Sequence, residues 1–285
     1  MIQNIIIILI VLIIVLIVKQ RIYNEAFTNL KKKNKFCVII TTFNPGVDYL
    51  YKCLSSVDNQ TYKNFDLCIV DDASTQNVEE LHKIINSYCS KNNWKFYKRT
   101  ENIGPLGTRI DAINQLNPHN EDIIVSVDGD DELNDNDVLS KLNKIYQDDT
   151  LITFGNYVNS TNNKLSKPRI KCRKHDFKKI ITNNSFRKYK WIFTHLKTFK
   201  YKLYKEINHD NLKMNDKYIK SATDLALMYP MLEMCSGKFK CVQNVMYKYN
   251  RTHPESHNID SVKLKKQKKN AKYIRHLKPY ENKFI

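Results

Sequence analysis

Carboxylates gather in two short stretches of this sequence. Asp71-Asp72-Ala73-Ser74-Thr75 follows the apolar run Phe65 to Val70, and Asp128-Gly129-Asp130-Asp131-Glu132 follows Ile123 to Val127. Acids at one edge of one sheet repel each other unless a cation joins them. A hard divalent cation held by one or two carboxylates and by the phosphates of a ligand is the usual resolution. Either cluster alone has a plainer reading, because Asp caps helices and occupies turns. Placed together after two apolar strands, they point to a metal and phosphate site. Arg109 lies near the start of a helical pattern, where anions are favoured. Pairing with Glu121 explains it equally well, and such surface pairs contribute little. Asp224 falls in the first turn of another helical pattern. By spacing alone it complements the helix dipole.

The elements that must position these residues are short apolar strands alternating with amphipathic helices. Phe36 to Phe43 reads as a buried strand, and Asn44-Pro45-Gly46 turns it into a helix with Leu50, Cys53, Leu54 and Val57 on one face. Phe65 to Val70 is a second strand, and Leu81, Ile84, Ile85 and Tyr88 mark the next helix. Trp94 to Tyr97 is a short third strand. Pro105 opens a helix with Ile110, Ile113 and Leu116, and Ile123 to Val127 is a fourth strand. This alternation predicts βαβ crossovers and a mainly parallel sheet covered on both faces. Ligands of such sheets sit beyond the carboxyl ends of the strands, where both acid clusters lie. Four of only six glycines, Gly46, Gly104, Gly107 and Gly129, fall in these strand-end loops. Unusual backbone angles or close approach to a ligand explain them as well as ordinary turns do. Leu151 to Tyr157 suggests a further strand, whereas 160–190 is polar and carries no readable pattern. Ser221 or Thr223 is expected to cap the helix that carries Leu225, Leu227, Met228, Met231 and Leu232.

The chain has 285 residues, of which 42% are hydrophobic, enough for a sizeable core and against wholesale disorder. Seven cysteines, an odd number without CxxC pairs, argue against a disulfide-stapled module and a zinc ribbon, and favour a reducing compartment. A net charge of +18 invites a nucleic-acid partner. No zinc site, helix-turn-helix or RNP-like motif accompanies that charge, Lys and Asn are abundant throughout, and no nucleic acid is expected. Ile5 to Val18 is an unbroken apolar run flanked on its C-terminal side by Lys19 and Arg21. It reads as an uncleaved transmembrane signal-anchor over 1–21, near the short end of spanning length. The flanking charges place the body in the cytosol. The Asn-x-Ser/Thr triplets at Asn59, Asn159, Asn183 and Asn250 are then chance products of an Asn-rich chain. A basic linker over 22–34 follows. A Lys-rich tail over 261–285 is expected either to rest on anionic lipid or to form a solvated helix.

CVIITTFNPGVDYLYKCLSSVDNQTYKNFDLCIVDDAST, ENIGPLGTRIDAINQL and SVDGDDEL, in this order and spacing over residues 36–140, resemble the motifs of the inverting family 2 glycosyltransferases with the GT-A fold. The resemblance implies a glycosyltransferase domain over 35–260, with a nucleotide-sugar half over 35–140 and an acceptor half over 141–260. It implies that Thr41, Thr42, Asn44 and Gly104 line the nucleotide cleft. Asp72 would accept the N3–H of a uracil-like base, Arg109 would touch the diphosphate, Asp128 would approach ribose and metal, and Asp130 would coordinate Mn2+ or Mg2+. Asp131 is expected to cap the following turn. SATDLALMYPMLEMC resembles the motif whose Asp removes the acceptor's proton, which makes Asp224 the catalytic base, although Thr223 stands where many relatives carry Glu. YKYNRTHPESHN resembles a loop that closes over diphosphate or metal, with His253 as the candidate ligand. WIFTHLKTFKYKLYKEI resembles an acceptor-side motif containing His195, Lys197 and Thr198, to which no chemistry is assigned.

The implied activity is metal-dependent transfer of one sugar, with inversion, from a nucleotide-diphospho-sugar (a UDP-sugar by expectation) to a hydroxyl of a glycan, lipid or protein. Single transfer is expected because the Gln-x-x-Arg-Trp motif of processive relatives is absent. A catalytically inactive nucleotide-sugar binder is the alternative, and a basic nucleic-acid-binding protein a more distant one.

Overall fold

The computed structural model describes residues 12–20, 33–160, 174–251 and 261–284, with the side chains of 174–176 left out. Ten strands appear among them: β1 (Phe36–Thr42), β2 (Phe65–Asp71), β3 (Lys95–Lys98), β4 (Ile123–Asp128), β5 (Glu132–Leu133), β6 (Ile152–Asn159), β7 (Thr198–Lys200), β8 (Lys213–Met214), β9 (Lys217–Tyr218) and β10 (Phe239–Tyr249). The principal helices are α1 (Val47–Asp58), α2 (Val78–Asn92), α3 (Pro105–Leu116), α4 (Val138–Ile145), α5 (Lys174–Thr182), α6 (Tyr201–Tyr204), α7 (Thr223–Met234) and α8 (Ser261–His276). Eight strands form one sheet in the order β3-β2-β1-β4-β7-β6-β10-β5. The strands β3, β2, β1 and β4 run parallel, as crossovers through helices require, and β7 enters antiparallel between β4 and β6.

The period of two along β1 sends Phe36, Val38 and Ile40 into a core with α1, α2 and α4. Cys37 and Ile39 face the opposite core, which contains α3 and α7. All seven residues of β1 are buried, the signature of a central strand covered on both faces. The predicted faces of α1 and α3 are buried as expected, with Leu50, Cys53, Leu54 and Val57 on one and Ile110, Ile113 and Leu116 on the other.

Three expectations differ from the structure. The basic tail expected to rest on lipid or to form a solvated helix is a helix, but not a wholly solvated one: α8 packs one side on α7, with Ile274 and Asn270 buried and Asn270 Nδ2 donating to Ser221 Oγ at 2.8 Å. Arg187 donates to the Ile274 carbonyl at 2.6 Å and pairs through Nε with Glu233 at 2.6 Å, which fastens the C-terminal segment to α7. The start of α7 is capped by neither Ser221 nor Thr223; its N-cap is Ala222, in a left-handed conformation without a side-chain cap. Cys37, Cys53, Cys68, Cys89 and Cys235 are free thiols, but Cys241 is disulfide-bonded, which runs against reading the cysteines as those of a reducing compartment.

The expected anchor over 1–21 lies largely outside the described residues. Residues 12–20 form a helical stretch on which Leu12 to Val18 are all exposed. Among the described residues no helix is long and apolar enough to cross a membrane. Most of the expected linker and all of residues 252–260, with His253, also lie outside them.

Candidate active site

Beyond the carboxyl ends of β1, β2 and β4 opens a cleft of about 570 Å³. Thr41, Thr42, Asp72, Gly104, Arg109, Asp128, Asp130 and Asp224 all line it, so residues up to 183 positions apart in sequence share one space. The parallel strands end in register, Thr42 beside Asp71 and Thr41 beside Asp128, and that alignment converts separate sequence motifs into one rim.

The loop after β4 lies tight against β1. Gly129 N donates to the Thr41 carbonyl at 2.9 Å, and a Cβ at Gly129 would stand 2.7 Å from Thr42 Cβ. Only glycine fits there. Gly104 begins α3 at φ 87°, a conformation that favours glycine, and its amide donates to Asp72 at 2.8 Å. Asp72 also accepts from Ile103 N at 2.9 Å. Burial raises its pKa, against the opposing pull of those two amides. The carboxylate thereby pins the loop before α3 to the end of β2 while still facing the cleft.

Arg109 does not pair with Glu121, which instead takes Lys200 and Lys202 at 2.7 and 2.6 Å. Its Nη2 donates to Asp128 Oδ1 at 2.6 Å and its Nη1 to Thr223 Oγ1 at 3.1 Å. Burial disfavours the guanidinium charge, but Asp128 and Asp224 outweigh it and hold the pKa above the usual value. Burial likewise opposes the Asp128 carboxylate, and Arg109 together with the other nearby positive groups, Lys197 among them, holds the pKa below the usual range. Arg109 thus bridges the donor-side acids to the first turn of α7.

Asp224 stands on the far wall. Lys197 Nζ approaches its Oδ1 at 2.7 Å. Burial works against this carboxylate, yet Lys197 holds its pKa well below the ordinary value. His195 lines the cleft beside it, stacked on Tyr247 with ring centroids 4.6 Å apart. Burial, with Lys197 adding, pushes the His195 pKa down to about 3, so the ring is neutral.

Two expected roles change. Asn44 is absent from the residues lining the cleft. Its Oδ1 accepts from Thr75 N at 2.8 Å and Gln76 N at 3.0 Å, so it shapes the loop after β2. Asp131 caps no turn: fully buried, its Oδ1 accepts from Asn250 N at 2.6 Å and ties the acidic loop to the end of β10. Burial, then Asp130 and Asp128, push its pKa well above the usual value. Asp71, the first acid of its cluster, turns away from the cleft lining to accept from Ser74 Oγ at 2.5 Å and to contact His82 Nε2 at 2.8 Å. Lys263, Lys266 and Gln267 of α8, on the cleft wall, are what the sequence analysis missed. The lysine-rich composition of α8 was the available signal, but nothing local indicates what the helix packs against.

The oxygens of Asp128 and Asp130 suit a hard cation of the Mn2+ or Mg2+ type. Among the described residues no group of three His, Cys, Asp or Glu side chains is placed to hold an ion.

Residues 37–208, more than half of the chain, match the family described as Glycosyl transferase family 2. The chain belongs to that family. Curated relatives include glycosyltransferase GlyA of Streptococcus pneumoniae serotype 4, 31% identical over 124 residues, and GlyG of the same organism, 28% identical over 123 residues. Those alignments cover 44% and 43% of this chain, but only 17% of GlyA and 38% of GlyG. Among solved structures, S. aureus TarS 1–349 in complex with UDP-GlcNAc superposes with a TM-score of 0.59 at 18% identity, over 79% of this chain and 61% of that one. The mannosyltransferase PcManGT from Pyrobaculum calidifontis, in complex with GDP-Man and Mn2+, superposes with a TM-score of 0.57 at 16% identity, over 88% and 67%. These likenesses establish a GT-A-like fold: a mixed eight-stranded sheet flanked by helices.

Proposed function

We propose that the protein is a metal-dependent, inverting glycosyltransferase that moves one sugar from a nucleotide-diphospho-sugar, preferably a UDP-sugar, to a hydroxyl of a glycan, lipid or protein. The observation that carries this reading is the cleft itself, in which Asp72, Asp128 and Asp130 face Asp224 across Arg109. The solved relatives support a nucleotide-sugar donor through the UDP-GlcNAc and GDP-Man in their complexes, and one contains Mn2+. Asp72 receives the base, Thr41 and Thr42 flank the nucleotide, and Asp128 and Asp130 hold the cation. That cation, when bound, neutralises charge on the diphosphate. Arg109 is in place to share this task from a buried position, where a fixed cation acts strongly. Asp224 accepts the proton of the acceptor hydroxyl as the oxygen bonds to the anomeric carbon and the sugar–phosphate bond opposite breaks. General-base assistance of this kind contributes roughly 10²–10⁴-fold.

One observation favours a second reading, a nucleotide-sugar binder without turnover. The Asp224 carboxylate is paired with the Lys197 ammonium at 2.7 Å, and a carboxylate whose pKa a cation lowers is a weakened base. The full chain in detergent, assayed for nucleotide release across a panel of UDP- and GDP-sugars with Mn2+, separates the two. Asp224→Asn is expected to keep donor binding and lose transfer; an active variant would mean that another group is the base. We further propose that the apolar segment over 1–21 anchors the protein with its body in the cytosol. Protease accessibility in intact vesicles tests this, and a protected, glycosylated body would overturn it.

A further inference from the structure

We propose that His195 and Lys197 form a positioning pair for Asp224, a buried arm that fixes one carboxylate oxygen and leaves the other for the acceptor. This rests on the reading of Asp224 as the base.

The geometry of the arm is specific. Lys197 is 5% exposed and is missing from the described residues that line the cleft, whereas the Asp224 side chain lines it and is 33% exposed. Lys197 therefore approaches Asp224 from behind the wall and acts through it, without touching a ligand in the cleft. Its ammonium meets Asp224 Oδ1 at 2.7 Å on one side and His195 Nε2 at 3.5 Å on the other. A neutral imidazole offers an ammonium an acceptor without adding a second positive charge. His195 is held by its stack on Tyr247 and by Tyr249, whose ring centroid lies 5.4 Å away.

The backbone carrying both residues is fastened at each end. Thr194 Oγ1 donates to the Gly155 carbonyl at 2.6 Å, and the Thr198 hydroxyl meets Tyr146 Oη at 2.8 Å and Thr153 Oγ1 at 2.6 Å. An arm so fixed limits the freedom of Asp224, and misplacing a reacting group by about 1 Å can cost ~10²-fold in rate. The charged and titratable groups facing Asp224 are Lys197 and His195 from this segment, Arg109 from α3, Asp128 from β4 and Tyr249 from β10. Of these, Lys197 is the cation in direct contact.

The test is a carboxyl ¹³C NMR titration of the full chain in detergent with labelled aspartate. Asp224 is assigned by its loss in Asp224→Asn, and wild type is compared with Lys197→Met. The wild-type midpoint is expected below the ordinary aspartate range and the variant's ~1–3 pH units higher, the shift that one adjacent cation produces. In the transfer assay the acid limb of kcat moves up by the same amount, the lost positioning outweighs the gain in basicity so that kcat falls ~10–10²-fold, and donor Kd stays within about twofold. Lys197→Arg, which keeps the cation, restores most of the limb, and Lys197→Gln replaces the methionine variant if that one does not fold. Coincident Asp224 titrations in wild type and variant would overturn the proposal, as would a loss of donor affinity as large as the loss in kcat. Absence of turnover by the wild type would overturn the proposed function instead, and the titration would still decide the pairing.

Discussion

Substituting Glu233 by Gln removes the negative charge that the Arg187 guanidinium requires. Glu233 is fully buried and Arg187 is 5% exposed, and two bonds of 2.6 and 2.9 Å join them side by side. Leaving one member of such a pair uncompensated costs about 3–5 kcal/mol. At ~2–4 °C per kcal/mol for a domain of this size, the midpoint of thermal unfolding should fall by roughly 6–20 °C. The loss should reach the cleft, because Arg187 also holds the Ile274 carbonyl and Glu233 accepts from Tyr280 N at 3.0 Å. These contacts seat α8, whose Lys263, Lys266 and Gln267 line the cleft wall. Donor affinity should therefore weaken along with stability. Circular dichroism melts of wild type, Glu233→Gln and the double variant Arg187→Met/Glu233→Leu decide the matter. The apolar double variant should recover part of that loss, since apolar replacement of a buried pair removes the uncompensated charge, while the bonds to the Ile274 carbonyl and the Tyr280 amide stay lost. A shift under about 2 °C in Glu233→Gln, or a double variant no better than the single, would refute the reasoning.

Two further outcomes follow from single positions. Gly129→Ala places a methyl group 2.7 Å from Thr42 Cβ and 2.8 Å from its Oγ1, so denaturant melts should show a loss of about 1–3 kcal/mol and titration a weaker nucleotide affinity. His195 has its pKa depressed to about 3 in the folded chain against ~6.5 when unfolded, so the unfolded state binds the extra proton between those values. Its contribution is fully present above pH ~6.5 and is lost as pH falls towards about 3, with a slope of up to ~1.4 kcal/mol per pH unit. The stability difference between wild type and His195→Asn should shrink across that window, and a constant difference from pH 7 to pH 4 would show that His195 does not titrate as described.

What was legible beforehand was what neighbours in the chain could encode. The strands ending in Asp71 and Asp128 announce themselves as apolar runs followed by acids, and the buried faces of α1 and α3 follow from helical spacing. Gly104 and Gly129 stood out because the chain has so few glycines, and both meet a backbone need. The remainder depends on contacts between distant residues. Arg109 chose Asp128, 19 positions away, over Glu121, whose oxygens were taken by Lys200 at the end of β7 and Lys202 in α6. Asp131 was read as a local cap, but β10 returns beside the acidic loop and supplies the Asn250 amide. Lys197 and Asp224 are neighbours only because β7 is inserted antiparallel beside β4, a crossing that no local pattern announces. The basic stretch after residue 261 gave no sign of its place on α7, because Arg187 and Glu233, which fasten it there, lie far away in the sequence.

Isothermal titration of UDP and a UDP-sugar into the full chain, with and without Mn2+, asks whether the acid-lined cleft receives a nucleotide diphosphate through a cation. Saturable one-to-one binding that requires Mn2+, weakened at least ~10-fold in Asp130→Asn, is the expected result. Binding that is absent, or equally tight without the ion and in the variant, would contradict the assignment of Asp128 and Asp130 as the ion's carboxylates.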